Sequence, residues 1–404
     1  MNQRPEPLSG SLLIPRSGLR AQNGCSISSG GVLVVPDCTN PVWPCALTGA
    51  AACLAGIQGL RVVIHGSSGC YYYPKSLIKA PLTGSFILEK EVIFGAGDRL
   101  RQVVKTALLE AEQVAVVNSC VPALMGEDLA AELAGYPVIL VDSPGFVGNA
   151  EAGYGIALES LLQTRPPAGE GVNIGGICLL DLFWRGNMHE AARILALAGI
   201  PIATVFSWDQ LGSLQKAGPV TVTTNPDYGM PSGRDGGTLL GIENTRNTVF
   251  ALLDTWPDAD PDPLIAGCDR AEELVIAACE KYLRRNDPPL AVICAQSGYA
   301  GFFSDLLTRY LGAERPCILP RNETDTPAVT DLDQIKEALE RDSYNLLLGS
   351  SYEQRILPDA GFIGITPPDR SRVVLGSRPL AGPEGTLHAA ELVLNACLDR
   401  KKRE

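Results

Sequence analysis

At 404 residues the chain is too long for one ordinary core, which predicts two or three domains. Hydrophobic residues make up 46% and charged residues 19%, which excludes a disordered chain, and the formal net charge of −12 argues against general affinity for nucleic acid. No run approaches the roughly 18 uninterrupted apolar residues of a membrane span, and the polar start (Met1 to Gly10) reads as neither signal nor transit peptide, so a cytoplasmic protein with no membrane partner is expected.

Residues 1 to about 40 read as an irregular arm carrying Cys25 and Cys38. A helix is predicted from just after Cys45 through Ala55, followed by a buried strand over Leu60 to Ile64 and the loop His65-Gly66-Ser67-Ser68-Gly69-Cys70. The aromatic run Tyr71-Tyr72-Tyr73-Pro74-Lys75 has no clear form; it reads either as the wall of a substrate cavity or as a subunit contact. Asp98 to Ala111 is a good amphipathic helix, with apolar Leu100, Val103, Val104, Ala107 and Leu108 on one face. The strand Val114–Val117, a loop at Cys120, a helix over Glu127–Ala134, the strand Val138–Val141 and a helix over Ala150–Gln163 follow.

Pro- and Gly-rich stretches at 165–171 and 285–289 mark two boundaries, giving domains at 1–165, 166–286 and 287–404. In the second, strands over Val172–Leu180, Pro201–Phe206 and Val220–Thr224 alternate with helices over Met188–Ala198, Thr245–Leu253 and Asp269–Arg284. In the third, strands over Leu290–Cys294, Tyr344–Leu348 and Phe362–Ile365 alternate with helices over Phe302–Leu311, Leu332–Arg341 and Thr386–Leu398. The expected fold class is therefore α/β, as three Rossmann-like domains with parallel sheets.

The 12 cysteines, in a long α/β chain without a secretion signal, do not suggest a disulfide framework. Cys178, Cys279, Cys294 and Cys397 fall inside strand or helix patterns and read as small core hydrophobes. Cys45, Cys70 and Cys120 differ: each sits in a turn or loop of small residues, 25 and 50 positions apart. Such spacing rules out a zinc ribbon or a ferredoxin-type local motif. Cys70 and Cys120 lie at the carboxyl ends of predicted neighbouring strands, where open α/β sheets place ligands. Three thiolates converging from separate loops are what an iron–sulfur cluster needs, given a fourth ligand; the bland reading is that they pack unliganded. No Gly-x4-Gly-Lys-Ser/Thr loop is present, so no nucleotide is expected on this chain. Of the three histidines, His65 reads as orienting the Cys70 loop, and His189 and His388 lie on predicted helices.

These residues resemble a family. Pro44-Cys45-Ala46-Leu47-Thr48-Gly49-Ala50, His65-Gly66-x-x-Gly69-Cys70, and Ser119-Cys120-Val121-Pro122 with Gly126-Glu127-Asp128 are similar to the cluster motifs of nitrogenase component 1 proteins. Phe86 to Gly95 is similar to that family's acidic segment ending in Phe-Gly-Gly. The resemblance covers residues 45 to 128 and implies that Cys45, Cys70 and Cys120 hold an iron–sulfur cluster, expected as 4Fe-4S, at a subunit interface. A fourth ligand would come from a partner subunit or from Cys38 or Cys25. It also implies a homodimer, or a heterodimer with a paralogous subunit, served by a separate ATP-dependent iron protein that delivers electrons for a small-molecule substrate. The chain departs from nitrogenase catalytic subunits in two places. The strand Val220 to Pro226 has no cysteine, and no histidine precedes Gly382-Pro383-Glu384-Gly385, His388 coming after it. Dinitrogen reduction on a large cofactor is therefore not expected; a tetrapyrrole or another small, hard-to-reduce substrate is. The alternatives are a non-catalytic scaffold for assembling a metal cofactor and an α/β binding protein with free cysteines.

Overall fold

Short runs of valine, isoleucine and leucine with no polar alternation can only be buried on both faces, which is the environment of a parallel strand covered by helices. The structure, a computed structural model, describes residues 42–162, 169–229, 233–323 and 326–401. The expected N-terminal arm, with Cys25 and Cys38, lies outside the described residues. Among the described residues twelve strands form three separate four-stranded sheets, all paired parallel. Each has the same order, with the second strand outside the first and the third and fourth on its other side.

The first sheet follows α1 (Ala46–Leu54) and comprises β1 (Leu60–His65), β2 (Thr83–Gly84), β3 (Gln113–Asn118) and β4 (Val138–Asp142). Between them run α2 (Ser68–Leu77), α3 (Glu89–Phe94), α4 (Gly97–Ala107), α5 (Cys120–Met125) and α6 (Leu129–Glu132); a 3-10 turn, Gly145–Val147, leads into α7 (Ala150–Leu162). The second sheet has β5 (Val172–Gly175), β6 (Ile202–Val205), β7 (Val220–Thr223) and β8 (Arg234–Thr238), with α8 (Trp184–Leu197), α9 (Leu211–Leu214), α10 (Ile242–Leu252) and α11 (Asp262–Leu283). The third has β9 (Ala291–Ala295), β10 (Cys317–Pro320), β11 (Leu346–Gly349) and β12 (Gly361–Gly364), with α12 (Ser297–Leu311), α13 (Leu332–Arg341), α14 (Ser351–Ile356) and α15 (Gly382–Lys401).

α1 is buried along its whole length because its small residues let it lie directly on α7. A Cβ on Gly49 would fall 1.8 Å from the Ala150 carbonyl oxygen, and one on Gly153 would fall 1.8 Å from that of Ala46, so the two backbones touch at reciprocal glycines. α15 leaves the third sheet, where it covers β12, and packs onto α8, α10 and α11 beside the second. Asp331 caps α13 by accepting from the Asp333 and Gln334 amides at 2.8 and 3.1 Å.

The structure corrects several boundaries. The aromatic run at Tyr71 to Lys75 is helical, within α2, even though Pro74 removes the donor for the Cys70 carbonyl. The Cys120 loop is itself a helix, α5, while the helix expected over Glu127–Ala134 shrinks to α6. The strand expected to reach Leu180 stops at Gly175, where Gly176 turns the chain with φ 75°. β2, β8 and β10 were not anticipated. Among the described residues no helix is long and apolar enough to cross a membrane.

Candidate functional site

β1 and β3 lie side by side in full register, from Leu60 opposite Gln113 to His65 opposite Asn118. Their carboxyl ends therefore deliver two cysteine-bearing turns to one place. Cys70 falls in the first turn of α2, Cys120 opens α5, and Cys45 caps the amino end of α1. All three cysteines therefore lie at the amino ends of helices, where the first backbone N–H groups have no helical partner.

The turns touch at glycines. A Cβ on Gly66 would fall 1.9 Å from Ser119 Oγ and 3.7 Å from Cys70 Cβ, so the Cys70 turn closes onto the residue before Cys120 only because Gly66 has no side chain. Gly145, after β4, does the same for the other pair: its Cβ position lies 3.2 Å from both Cys45 Sγ and Cys120 Sγ. The Gly145 amide donates to Cys120 Sγ at 3.1 Å, Ser67 Oγ–H to Cys70 Sγ at 3.6 Å, and Cys45 Sγ lies 3.7 Å from Thr48 Oγ1. All three thiols are free and only partly buried. Elsewhere burial pushes the Cys53 thiol up to about 12 and those of Cys268 and Cys279 to about 11, which leaves those three inert.

His65 is fully buried and braces this edge. Its Nδ1 meets Ser85 Oγ at 3.0 Å and its Nε2 meets Glu127 Oε2 at 2.9 Å, while the other Glu127 oxygen accepts from the Ala96 amide. One carboxylate thereby ties the end of β1, the turn after α5 and the start of α4. Burial lowers the His65 pKa below its usual value, against the pull of Glu127.

Three buried polar atoms at the same edge have no partner: Asn118 Oδ1, Ser119 Oγ and Ser143 Oγ. Orphaned hydroxyls beside thiols that share a glycine-lined gap suit a group with sulfide acceptors, so the residues present fit an iron–sulfur cluster. Among the described residues no three His, Cys, Asp or Glu side chains are close enough to hold a single metal ion. A cluster asks for something else, since each of its thiolates binds a different iron.

Sequence reasoning missed a second group, where the carboxyl ends of the three sheets meet. Glu151, in the first turn of α7, accepts from Trp43 Nε1 at 3.0 and 3.2 Å and from Gln296 Nε2 at 2.5 Å. Asp227, after β7, accepts from the Gly298 amide at 2.8 Å and Asn322 Nδ2 at 2.9 Å. Asp181, after β5, accepts from Tyr299 Oη at 2.5 Å. Burial pushes the Glu151 carboxyl up to about 7, with the nearby Asp227 charge adding, and Asp181 up to about 6. Only the placement of these residues just past strand ends hinted at them. His189 and His388 join neither group: His189 is exposed on α8, and His388, on α15, donates from Nδ1 to the Pro379 carbonyl at 2.8 Å.

Comparison with known proteins defines the class. Residues 45–226 match the family described as "Nitrogenase component 1 type Oxidoreductase". The fold matches the solved structure titled "Nitrogenase Cp1 at pH 6.5" with a TM-score of 0.76 at 17% identity, covering 94% of this chain and 96% of that one. Over residues 45–226, and in fold across nearly the whole chain, the protein is similar to nitrogenase component 1-type oxidoreductases. It is 27% identical over 189 residues to the nitrogenase molybdenum-iron protein beta chain of Frankia alni, covering 40% of this chain and 36% of that protein. It is 25% identical over 243 residues to the iron-molybdenum cofactor biosynthesis protein NifE of Clostridium pasteurianum, covering 52% of this chain and 53% of the relative. These matches span between about a third and a half of the relatives' own length.

Proposed function

We propose that this chain is the cluster-bearing component of a two-component, ATP-dependent nitrogenase-like reductase, with Cys45, Cys70 and Cys120 as ligands of an iron–sulfur cluster, a 4Fe-4S cluster held by three thiolates and one further ligand. The observation that carries it is the convergence of three helix-start thiols on one sheet edge, two of them flanking Gly145. When bound, the cluster supplies one-electron chemistry. The chain's own residues hold it: the Gly145 amide and the serine hydroxyls offer hydrogen bonds to sulfur, and the His65–Glu127 bridge fixes the two turns relative to each other.

The surface around the site supports a partner. α3 buries none of its residues, leaving Ile93 and Phe94 74% and 84% exposed, and Leu124 of α5 is 77% exposed. An apolar patch of this kind beside a redox edge suits a docking subunit. The reading assigns that role to a second copy or a paralogous subunit, and electron delivery to an iron protein. It takes the chain as three domains, 1–165, 166–286 and 287–404, working in the cytoplasm on a tetrapyrrole or other small substrate.

A second reading is a scaffold on which a metal cofactor is assembled. The match to the cofactor biosynthesis protein NifE, which covers 52% of this chain, supports it. Anaerobic purification with iron and sulfide assay, followed by low-temperature EPR of dithionite-reduced protein, tests both. Wild type should give a cluster signal that Cys45→Ser, Cys70→Ser and Cys120→Ser each abolish. Iron unaffected by these changes would sink the ligand assignment. A cluster that transfers to an acceptor protein, with no turnover alongside a reducing partner, would favour the scaffold.

A further inference from the structure

Glu151 is tied to the candidate cluster site from both sides. Trp43, whose indole N–H is shared by both Glu151 oxygens, lies two residues before Cys45. The turn entering α7 pairs with the same segment: Asn149 bridges to Cys45, and the Ala46 amide donates to the Gly148 carbonyl at 2.9 Å. One side chain and one turn therefore separate this carboxyl from a thiol. On its far side Glu151 meets Gln296 of the third sheet's first loop and the Asp227 carboxyl.

The groups facing Glu151 are acidic or neutral. Asp227 and Tyr228 come from the loop after β7, while Trp43 and Gln296, which donate to Glu151, are neutral. Among the described residues no lysine, arginine or histidine hydrogen-bonds Glu151, Asp227 or Asp181. A carboxylate in such company holds a proton more readily than an exposed one. Solvent lies close by: Glu151 and Asp227 are half-buried residues, and Pro226 and Gly229 in the Asp227 loop are exposed.

We propose that Glu151 is the proton carrier of the redox site. When that site gains one electron from its reductant, the Glu151 carboxylate takes one proton from solvent; when the electron leaves, the carboxyl returns it. Only an O–H bond forms and breaks, and the net charge of the region stays constant through the cycle. The inference rests on the electron-relay reading above, but Glu151 touches neither substrate nor ligand in it. The physical reason is electrostatic: negative charge arriving behind Trp43 raises the proton affinity of a carboxyl that burial, with the Asp227 charge adding, already holds near neutrality.

The test is a redox titration of the purified, cluster-containing chain with dithionite from pH 6 to pH 9, with infrared spectra of the carboxyl C=O band across the same range. In wild type the midpoint potential should fall with rising pH above neutrality, by up to about 59 mV per unit for one electron and one proton, and a carboxyl band should titrate near neutrality. Glu151→Gln should keep its iron and EPR signal, lose that band and give a flat potential. Asp227→Asn keeps the carboxyl and should move the onset to lower pH, which serves if Glu151→Gln does not fold. A flat wild-type potential, or a slope unchanged in Glu151→Gln, overturns the proposal while leaving the cluster reading intact. Absence of iron from the wild type overturns the cluster reading and the redox coupling together, and the infrared band then reports separately whether Glu151 holds a proton.

Discussion

Gly49→Ala should uncouple the helix that carries Cys45 from the helix that carries Glu151. The added methyl would sit 1.8 Å from the Ala150 carbonyl oxygen, where ordinary contact needs about 3.5 Å. The two helices must therefore separate by roughly 1.5 Å, and α1, buried along its whole length, has no free face to yield. Overpacking of this kind costs about 1–3 kcal/mol, and a backbone-to-backbone clash belongs at the upper end. A chain with three sheets need not unfold in one step, so the readout should be local. Hydrogen exchange of the β1 and β3 amides reports the opening energy of the first sheet, which should fall by about 3 kcal/mol. Gly155→Ala is the control: it lies on α7 with nothing within 4 Å of the new methyl, and a helical glycine-to-alanine change there should be neutral or stabilise by up to about 1 kcal/mol. Equal protection of Gly49→Ala and wild type, within about 0.5 kcal/mol, would refute the close approach of α1 and α7.

Three further outcomes are expected. Arg321→Ala should destabilise the third sheet by about 3–5 kcal/mol in urea unfolding, because it strands the Glu353 carboxylate of a fully buried ion pair. His65→Asn should lower stability by about 1–3 kcal/mol at pH 7.5 through two lost hydrogen bonds. Burial holds the folded His65 pKa below 6.5, so wild type keeps this stabilisation above pH 6.5 and loses it as pH falls; the gap between variant and wild type should narrow in that direction. Glu151 carries the opposite sign: its folded pKa of about 7 lies above the usual 4.5, so its contribution is full below about pH 4.5 and lost as pH rises through 7. Glu151→Gln should therefore gain stability relative to wild type between pH 5 and pH 8 in thermal unfolding scans, by an amount on the order of 1–3 kcal/mol.

The parallel sheets were legible where strands are uninterrupted apolar runs, as at Val62-Val63-Ile64 and Val114 to Val117, because burial on both faces leaves no polar position to confuse the pattern. β8 was not, since Arg234-Asp235-Gly236-Gly237-Thr238 is a polar edge strand whose form is imposed by its pairing with β7. α5 reads as a loop because the residues around Cys120 are small, yet Pro122, in the first turn of the helix, removes only an amide that has no helical acceptor. The three cysteines could be picked out by their small-residue turns, but the glycines that bring them together could not: the role of Gly145 depends on where β4 ends. Trp43, Glu151, Gln296, Asp227 and Asn322 come from segments separated by up to 279 positions and become neighbours only once three sheets are assembled.

The path of α15 has a bearing on how the chain is made. The strands of each sheet are contiguous in sequence, so each sheet can close soon after its own stretch leaves the ribosome. The helices beside the second sheet cannot: α8, α10 and α11 keep an apolar face open until α15 has been synthesised, after all twelve strands. The middle of the protein is therefore the last part to be sealed, and for the whole time that the third sheet is being translated it is the surface a chaperone would have to shield.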